Sequence, residues 1–335
     1  MPTLPYTARV QGLRFTPRGF RRLALVNVVV LVAIIVSGAA VRLTNSGLGC
    51  ADWPQCSATR VLDVSTHHAA IEQLNRVFSG AIGIPIAIAL IGAYRRIPRD
   101  RDLVRLAWIL FVLFWGEAVL GGISVKVKLA WVSVMGHFLL AIALVGIALA
   151  MYRRAREAPR RPSTTVPRIV AQLGAVVYAL TIVVVVLGTL VTAAGPHGGD
   201  RDATRLGWPL VDVARVHGAT VDTLLAVVLC LLVLSIRRRA PETVVRATER
   251  ALVIMAAQGA LGYIQYFREI PALLVGFHVF GAVLVFIAAQ QLVFTINDAK
   301  LAAVDSHDDA RRSLSDSVLT GSSARVSSAT APGAH

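Results

Sequence analysis

The chain has 335 residues, of which 56% are hydrophobic and 16% charged, and a mean hydropathy of +0.66. A soluble domain carries about 25% charged residues; the deficit here lies in repeated apolar runs of about 20 residues, the length that crosses a hydrocarbon core of roughly 30 Å, which excludes a soluble globular enzyme. The net charge of +15 gathers as Arg in short gaps between those runs, so membrane topology explains it and a nucleic-acid partner is not expected.

In chain order, residues 1–22 carry Arg9, Arg14, Arg18, Arg21 and Arg22 and read as a cytoplasmic arm. The first apolar run, 23–42, is too long for a cleavable signal peptide and leads into a loop rather than a small-residue cleavage site. Loop 43–68 holds Cys50 and Cys56. Further runs cover 69–93, 103–121, 130–152, 169–193, 210–236, 251–267 and 272–296. Arg-rich stretches follow the second, fourth and sixth runs, and the odd-numbered gaps carry few positive charges. The pattern predicts an all-α integral membrane protein in the plasma membrane, with eight transmembrane helices, both termini cytoplasmic and the cysteine loop outside. Residues 303–335, rich in Ser, Ala, Asp and Arg, have little to form a core, and a disordered cytoplasmic tail is expected over 297–335.

An internal repeat divides the chain. Glu117-Ala118-Val119-Leu120-Gly121-Gly122-Ile123 matches Gln258-Gly259-Ala260-Leu261-Gly262-Tyr263-Ile264, 141 positions later, and Gly136-His137-Phe138 meets Phe277-His278-Val279 at the same offset. Asn75 meets His217 at an offset of 142, and Gly38-Ala39-Ala40-Val41 resembles Gly188-Thr189-Leu190-Val191. Two tandem four-helix bundles follow: an N-terminal half, 23–152, and a C-terminal half, 169–296, joined by a cytoplasmic linker, 153–168. Four spans per unit is an even number, so the repeat is parallel. Asn75, His137, His217 and His278 all lie six or seven residues inside the outer end of an even-numbered helix, roughly 10 Å deep at 1.5 Å per residue. Paired histidines at one depth on neighbouring bundle helices suit axial ligation of a haem iron; a lone intramembrane His is more often a packing residue.

Two stretches carry chemistry beyond the histidines. Glu72 and Asn75 in His67-His68-Ala69-Ala70-Ile71-Glu72-Gln73-Leu74-Asn75-Arg76 share a helix face, and a carboxylate just inside a membrane segment is a functional-site candidate. Val41-Arg42-Leu43-Thr44-Asn45-Ser46-Gly47-Leu48-Gly49-Cys50-Ala51-Asp52-Trp53-Pro54-Gln55-Cys56 places two cysteines around an Asp-Trp-Pro turn. On the oxidising side of a membrane a disulfide is reasonable there, with two free thiols as the alternative. Cys230 reads as a packing residue.

This cysteine segment resembles the first external loop of the haem A synthases, and the resemblance extends over about residues 20–296. Gly195-Pro196-His197-Gly198-Gly199-Asp200 resembles the family's loop after helix five, without the second cysteine pair of some members. The resemblance implies that haem o is oxidised to haem A, a ring methyl becoming a formyl group by successive hydroxylations with water as oxygen source, with bound haem b as cofactor. It implies His217 and His278 as axial ligands of the haem b iron, His137 facing the substrate haem iron, and Glu72 as catalytic. The family's Glu-x-x-His-Arg motif reads Glu72-Gln73-Leu74-Asn75-Arg76 here, taken as an actinobacterial-like variant. Asn cannot replace imidazole as a strong iron ligand, so Asn75 and Arg76 are expected at the substrate site with His137 as its only protein imidazole. Arg42, Arg76 and Arg215 are candidates for the haem propionates, or plain boundary anchors. The implied partners are haem o, the membrane enzyme that makes it, the terminal oxidase pathway and an electron acceptor that the sequence does not identify; a homo-oligomer is left open. The rival readings are a non-catalytic di-haem cytochrome b for electron transfer, which leaves Glu72 and the cysteine loop unexplained, and a haem or metabolite transporter, for which no helix looks broken at mid-membrane.

Overall fold

A computed structural model describes residues 15–156 and 165–326, with side chains described as far as residue 299. Eight helices follow one another: α1 Pro17–Leu43, α2 His67–Arg95, α3 Arg101–Lys126, α4 Trp131–Arg154, α5 Arg168–Ala194, α6 Leu210–Arg237, α7 Glu242–Phe267 and α8 Ala272–Val326. Local chemistry sets several starts. Thr16 Oγ1 accepts the Gly19 N–H at 3.0 Å with Pro17 behind it, and Thr66 Oγ1 accepts that of Ala69 at 3.1 Å, two N-caps that satisfy otherwise orphaned donors. Asp100 Oδ1 does the same for Asp102 at 2.9 Å. Pro209 and Pro241 stand just before α6 and α7, where chain direction must change.

Seven helices are long and apolar enough to cross a membrane. The other, α7, has 26 residues, but Glu242, Arg246, Glu249 and Arg250 lie in its first nine, leaving an apolar part that matches the run read from the sequence as 251–267. α1 begins at Pro17, earlier than the run at 23, because Thr16 and Pro17 start the helix inside the basic arm; the rest of that arm, 1–14, lies outside the described residues. The same holds for 157–164 of the linker and for 327–335. Over 297–326, within the stretch expected as a disordered tail, α8 continues as helix. Its Ala, Leu and Arg content (Leu301-Ala302-Ala303, Ala310-Arg311-Arg312) is that of good helix formers, so low hydrophobicity there is compatible with helix.

The helices pack as two four-membered rings. α1 touches α2 and α4, and α3 touches α2 and α4; α5 touches α6 and α8, and α7 touches α6 and α8. The rings meet where α1 and α4 face α8 and α4 faces α5. One core runs through that seam: Phe20, Ile86, Leu103, Leu110, Leu144 and Met151 of the first ring pack in a cluster that also takes Val185, Val283 and Phe286 of the second. Gln290 Nε2 on α8 donates to the Gly146 carbonyl on α4 at 2.9 Å, and Arg153 pairs with Asp298 across the same seam.

The duplication is visible bond by bond in the turns between odd and even helices. Lys128 and Leu129 sit in the left-handed region with φ of 51° and 56°, and Glu269 and Ile270, 141 positions on, do so with φ of 61° and 58°. Leu129 N–H reaches the Ser124 carbonyl and Ile270 N–H the Gln265 carbonyl, each at 2.8 Å. A branched residue such as Ile270 is rarely found there and is held by its surroundings: His197 Nε2 lies 2.8 Å from its carbonyl oxygen.

Candidate functional site

The four positions singled out by the repeat sit at one depth. Asn75 is the ninth residue of α2, His137 the seventh of α4, His217 the eighth of α6 and His278 the seventh of α8, all counted from the end of the bundle that carries loop 44–66. At 1.5 Å per residue they lie about 10 Å along their helices. Each histidine faces a glycine on the preceding helix. A Cβ built on Gly121 would stand 3.1 Å from His137 Cε1, one on Gly188 3.3 Å from His217 Cε1, and one on Gly262 3.1 Å from His278 Cε1. Glycine lets each ring approach closely in these places, since a Cβ would press on the imidazole edge by a few tenths of an ångström. The counterpart on α1, Gly38, has nothing within 4 Å, because Asn75 is shorter than His. Asn75 Oδ1 instead accepts from Ser37 Oγ at 2.7 Å.

The rings share a second trait. Nδ1 of His137, of His217 and of His278 is buried without a hydrogen-bond partner. Three half-buried imidazoles, each with a buried and unused Nδ1, are a donor set that suits an iron-bound macrocycle better than a packing role. Among the described residues, no group of three or more His, Cys, Asp or Glu side chains could hold a bare metal ion.

The N-terminal half carries an assembly that its partner lacks. Cys50 and Cys56 are joined in a disulfide and are both buried. Glu72, 4% exposed, accepts the Cys50 N–H with Oε2 at 2.7 Å and the Arg76 Nε–H with Oε1 at 3.0 Å. Arg76 Nη1 donates onward to the Asp52 carbonyl at 2.8 Å and the Gln55 carbonyl at 3.3 Å. A buried ion pair is tolerated when its remaining donors and acceptors are satisfied, and here the backbone of the disulfide loop satisfies them. Glu72 and Arg76 thus clamp the loop to α2. Trp53, inside the loop, lies flat on α3: a Cβ on Gly122 would come within 2.6 Å of its Cδ2. The clamp occupies the Arg76 guanidinium with Glu72 and the loop carbonyls. Arg215 is exposed and 3.6 Å from Asp212. Arg42 packs against Gly199 and makes no ion pair among the described residues. Where the loop returns to α2, the Ser65 N–H and hydroxyl hold the Asp63 carboxyl below its ordinary value.

The structure thus brings Glu72, Arg76, Cys50 and Cys56 together, with Asn75 one turn further along α2; His137 lies across the first ring, and His217 and His278 belong to the second. One residue of this region was missed as a site candidate. Glu117 on α3 places Oε1 3.2 Å from His137 Nδ1, and its Oε2 is buried without a partner. The signal was present, since an intramembrane carboxylate at the repeat position of Gln258 is an expensive choice.

An α-helical membrane protein with a duplicated intramembrane imidazole site and a disulfide-bonded loop over one copy is the class defined by these features. The family model of COX15-CtaA, described as cytochrome oxidase assembly protein, matches residues 21–68 and 59–196, and the chain belongs to that family. It is 30% identical over 267 residues to the Heme A synthase of Symbiobacterium thermophilum, covering 73% of this chain and 85% of that protein. It is also 29% identical over 136 residues to the Heme A synthase of Geobacillus thermodenitrificans and 29% over 153 residues to that of Shewanella oneidensis. Those two matches span less than half of the relatives' lengths, 42% and 45%.

Proposed function

We propose that this protein is a haem A synthase: a multi-pass plasma-membrane oxidoreductase that converts haem o to haem A by oxidising a ring methyl to a formyl group in successive hydroxylations. The observation that carries the reading is the asymmetry between the two copies of one site. The C-terminal copy keeps two imidazoles, His217 and His278, each seated on a glycine, which suits a permanently held haem b. The N-terminal copy has one imidazole, His137, opposite a hydrogen-bonded amide, Asn75, which suits a haem that must arrive and leave. A non-catalytic di-haem cytochrome b would want the histidine pair in both halves.

His217 and His278 would hold haem b, which would supply one-electron redox chemistry. The chain's own residues do the rest. His137 orients the substrate macrocycle from α4. Glu72 is a carboxylate paired with Arg76 one helical turn from Asn75, and beside a haem edge it would stabilise the positive charge made when the methyl carbon loses electrons. Held by Arg76 and the Cys50 N–H, it need not reorganise as that charge develops. Trp53 and the disulfide loop cover the end of the α2–α3 pair and exclude bulk solvent. In the reading with both termini cytoplasmic, this loop faces the outer side; the electron acceptor is a separate partner, and the product feeds a terminal oxidase pathway.

The test is to purify the protein made alongside a haem o source and to chromatograph its extracted haems. Haem b together with haem o, hydroxylated intermediates or haem A is the expected result. Haem b alone, with an unchanged haem pool, overturns the proposal.

A further inference from the structure

We infer that Glu117 is a positioning residue for the N-terminal histidine: a buried carboxylate that takes the Nδ1–H of His137 and so fixes the ring with its other nitrogen toward the substrate iron. The inference rests on the proposed role of His137 and goes beyond it.

Each glycine that seats a ring has a residue one helical turn before it on the same helix face. Before Gly188 this is Val184, whose backbone carbonyl lies beside the His217 ring. Before Gly262 it is Gln258, whose Nε2 donates to the backbone carbonyl of His278 at 2.8 Å, so the amide is spent on the helix rather than on the ring. Before Gly121 it is Glu117, with Oε1 3.2 Å from Nδ1 of His137. Of the three turns, therefore, the one in the half with a single imidazole is the one that brings a charged side chain to the ring.

Burial gives the second strand. The Glu117 side chain is 16% exposed against 43% for His137, and Oε2 has no partner. A carboxylate inside a membrane helix with half its acceptor capacity unused is costly, and no Lys or Arg pairs with it among the described residues. The group beside it is the imidazole. The distance is within hydrogen-bond reach, although the ring N–H direction is not yet aligned, as is common before a ligand draws an imidazole into place. A carboxylate behind a metal-bound histidine fixes its tautomer and raises its basicity. Where the opposite ligand is missing, as Asn75 dictates, a stronger bond from the one remaining imidazole is what keeps the haem oriented.

Resonance Raman spectroscopy of the ferrous protein, titrated with haem o, tests this directly. An iron–histidine stretching band arises from a five-coordinate haem and is silent for a haem held by two imidazoles, so it reports the N-terminal half alone. Glu117→Gln is expected to move that band to lower frequency and the haem's reduction potential to a more positive value, with Glu117→Asp restoring part of both shifts. If Glu117→Gln does not accumulate, Glu117→Asp carries the test through the same intermediate shift. A band and a potential identical to the parent's in the variant overturn the inference. His137→Ala separates the two layers. Loss of the band in His137→Ala with no shift in Glu117→Gln removes the role of Glu117 alone, whereas a band that survives His137→Ala removes the assignment of His137 on which it rests.

Discussion

The two halves of the molecule use one scaffold for two degrees of commitment. Both place a polar residue at the same depth on their second and fourth helices, and both close the odd-to-even turn with the same pair of left-handed residues. They differ in what surrounds those positions. Glu72 and Arg76 correspond to Ala214 and Gly218, so the C-terminal half has no counterpart of the clamp. Gly122, which carries the Trp53 ring, corresponds to Tyr263, whose hydroxyl donates to Asp222 Oδ2 at 2.9 Å. Where the first half accepts a loop from outside, the second closes its own α6–α7 cleft. The difference teaches that divergence after duplication can keep the helix scaffold and its turns while replacing the few groups around one site.

The largest effects should come from separating retention from chemistry. His217→Ala is expected to empty the C-terminal site of haem b. Glu72→Ala is expected to leave haem b bound while haem A formation falls by about 10²–10³-fold, the usual cost of losing a preorganised charge. Haem analysis of the two purified variants checks this, and equal haem content together with equal product would erase the division of labour. Next comes the attempt to make the halves alike. Asn75→His should fill the space over Gly38, where nothing lies within 4 Å of a Cβ, and give the N-terminal site a second imidazole. Haem o should then be retained through purification with a low-spin spectrum, and turnover should slow; a parent-like spectrum would show that Asn75 does not face the iron. The smallest effects concern the clefts. Gly122→Ala forces a methyl into the Trp53 ring and should cost about 1–3 kcal/mol, seen as lower thermal stability of the detergent-solubilised protein. Tyr263→Phe should cost only about 1 kcal/mol, one hydrogen bond. If the order reverses, the loop is not seated on α3 as described.

Much of this was legible in the sequence because membrane physics leaves few options. Runs of about 20 apolar residues must be helices, and the repeat put His137, His217 and His278 at one depth before any fold was known. Helix ends were less legible: α1 starts at Pro17 because of a Thr-Pro cap inside a basic stretch, and α8 runs on because polarity alone does not prevent helix. The partners of Glu72 were not legible at all. Its carboxylate accepts a backbone N–H, and its partner Arg76 donates to backbone carbonyls, of a loop some 20 residues away, and no pattern of side chains encodes which carbonyl an arginine will find. Glu117 is hidden for the opposite reason: it lies inside a repeated motif, where its likeness in shape to Gln258 masks its charge.

The seam between the halves has a consequence for ancestry. Val283 and Phe286 complete the first ring's core, and Gln290 serves the Gly146 carbonyl on α4. A four-helix unit by itself would therefore have turned that apolar wall toward lipid, and Gln290 would have lost the acceptor it finds on α4. A unit with an even number of spans inserts one way up, and two such copies can pair about an axis normal to the membrane. The present chain has the form such a pair takes when a single linker joins the end of one copy to the start of the next. Once the copies were covalently joined, a substitution such as His to Asn could enter one site without entering the other, a freedom that no symmetric dimer of identical chains possesses.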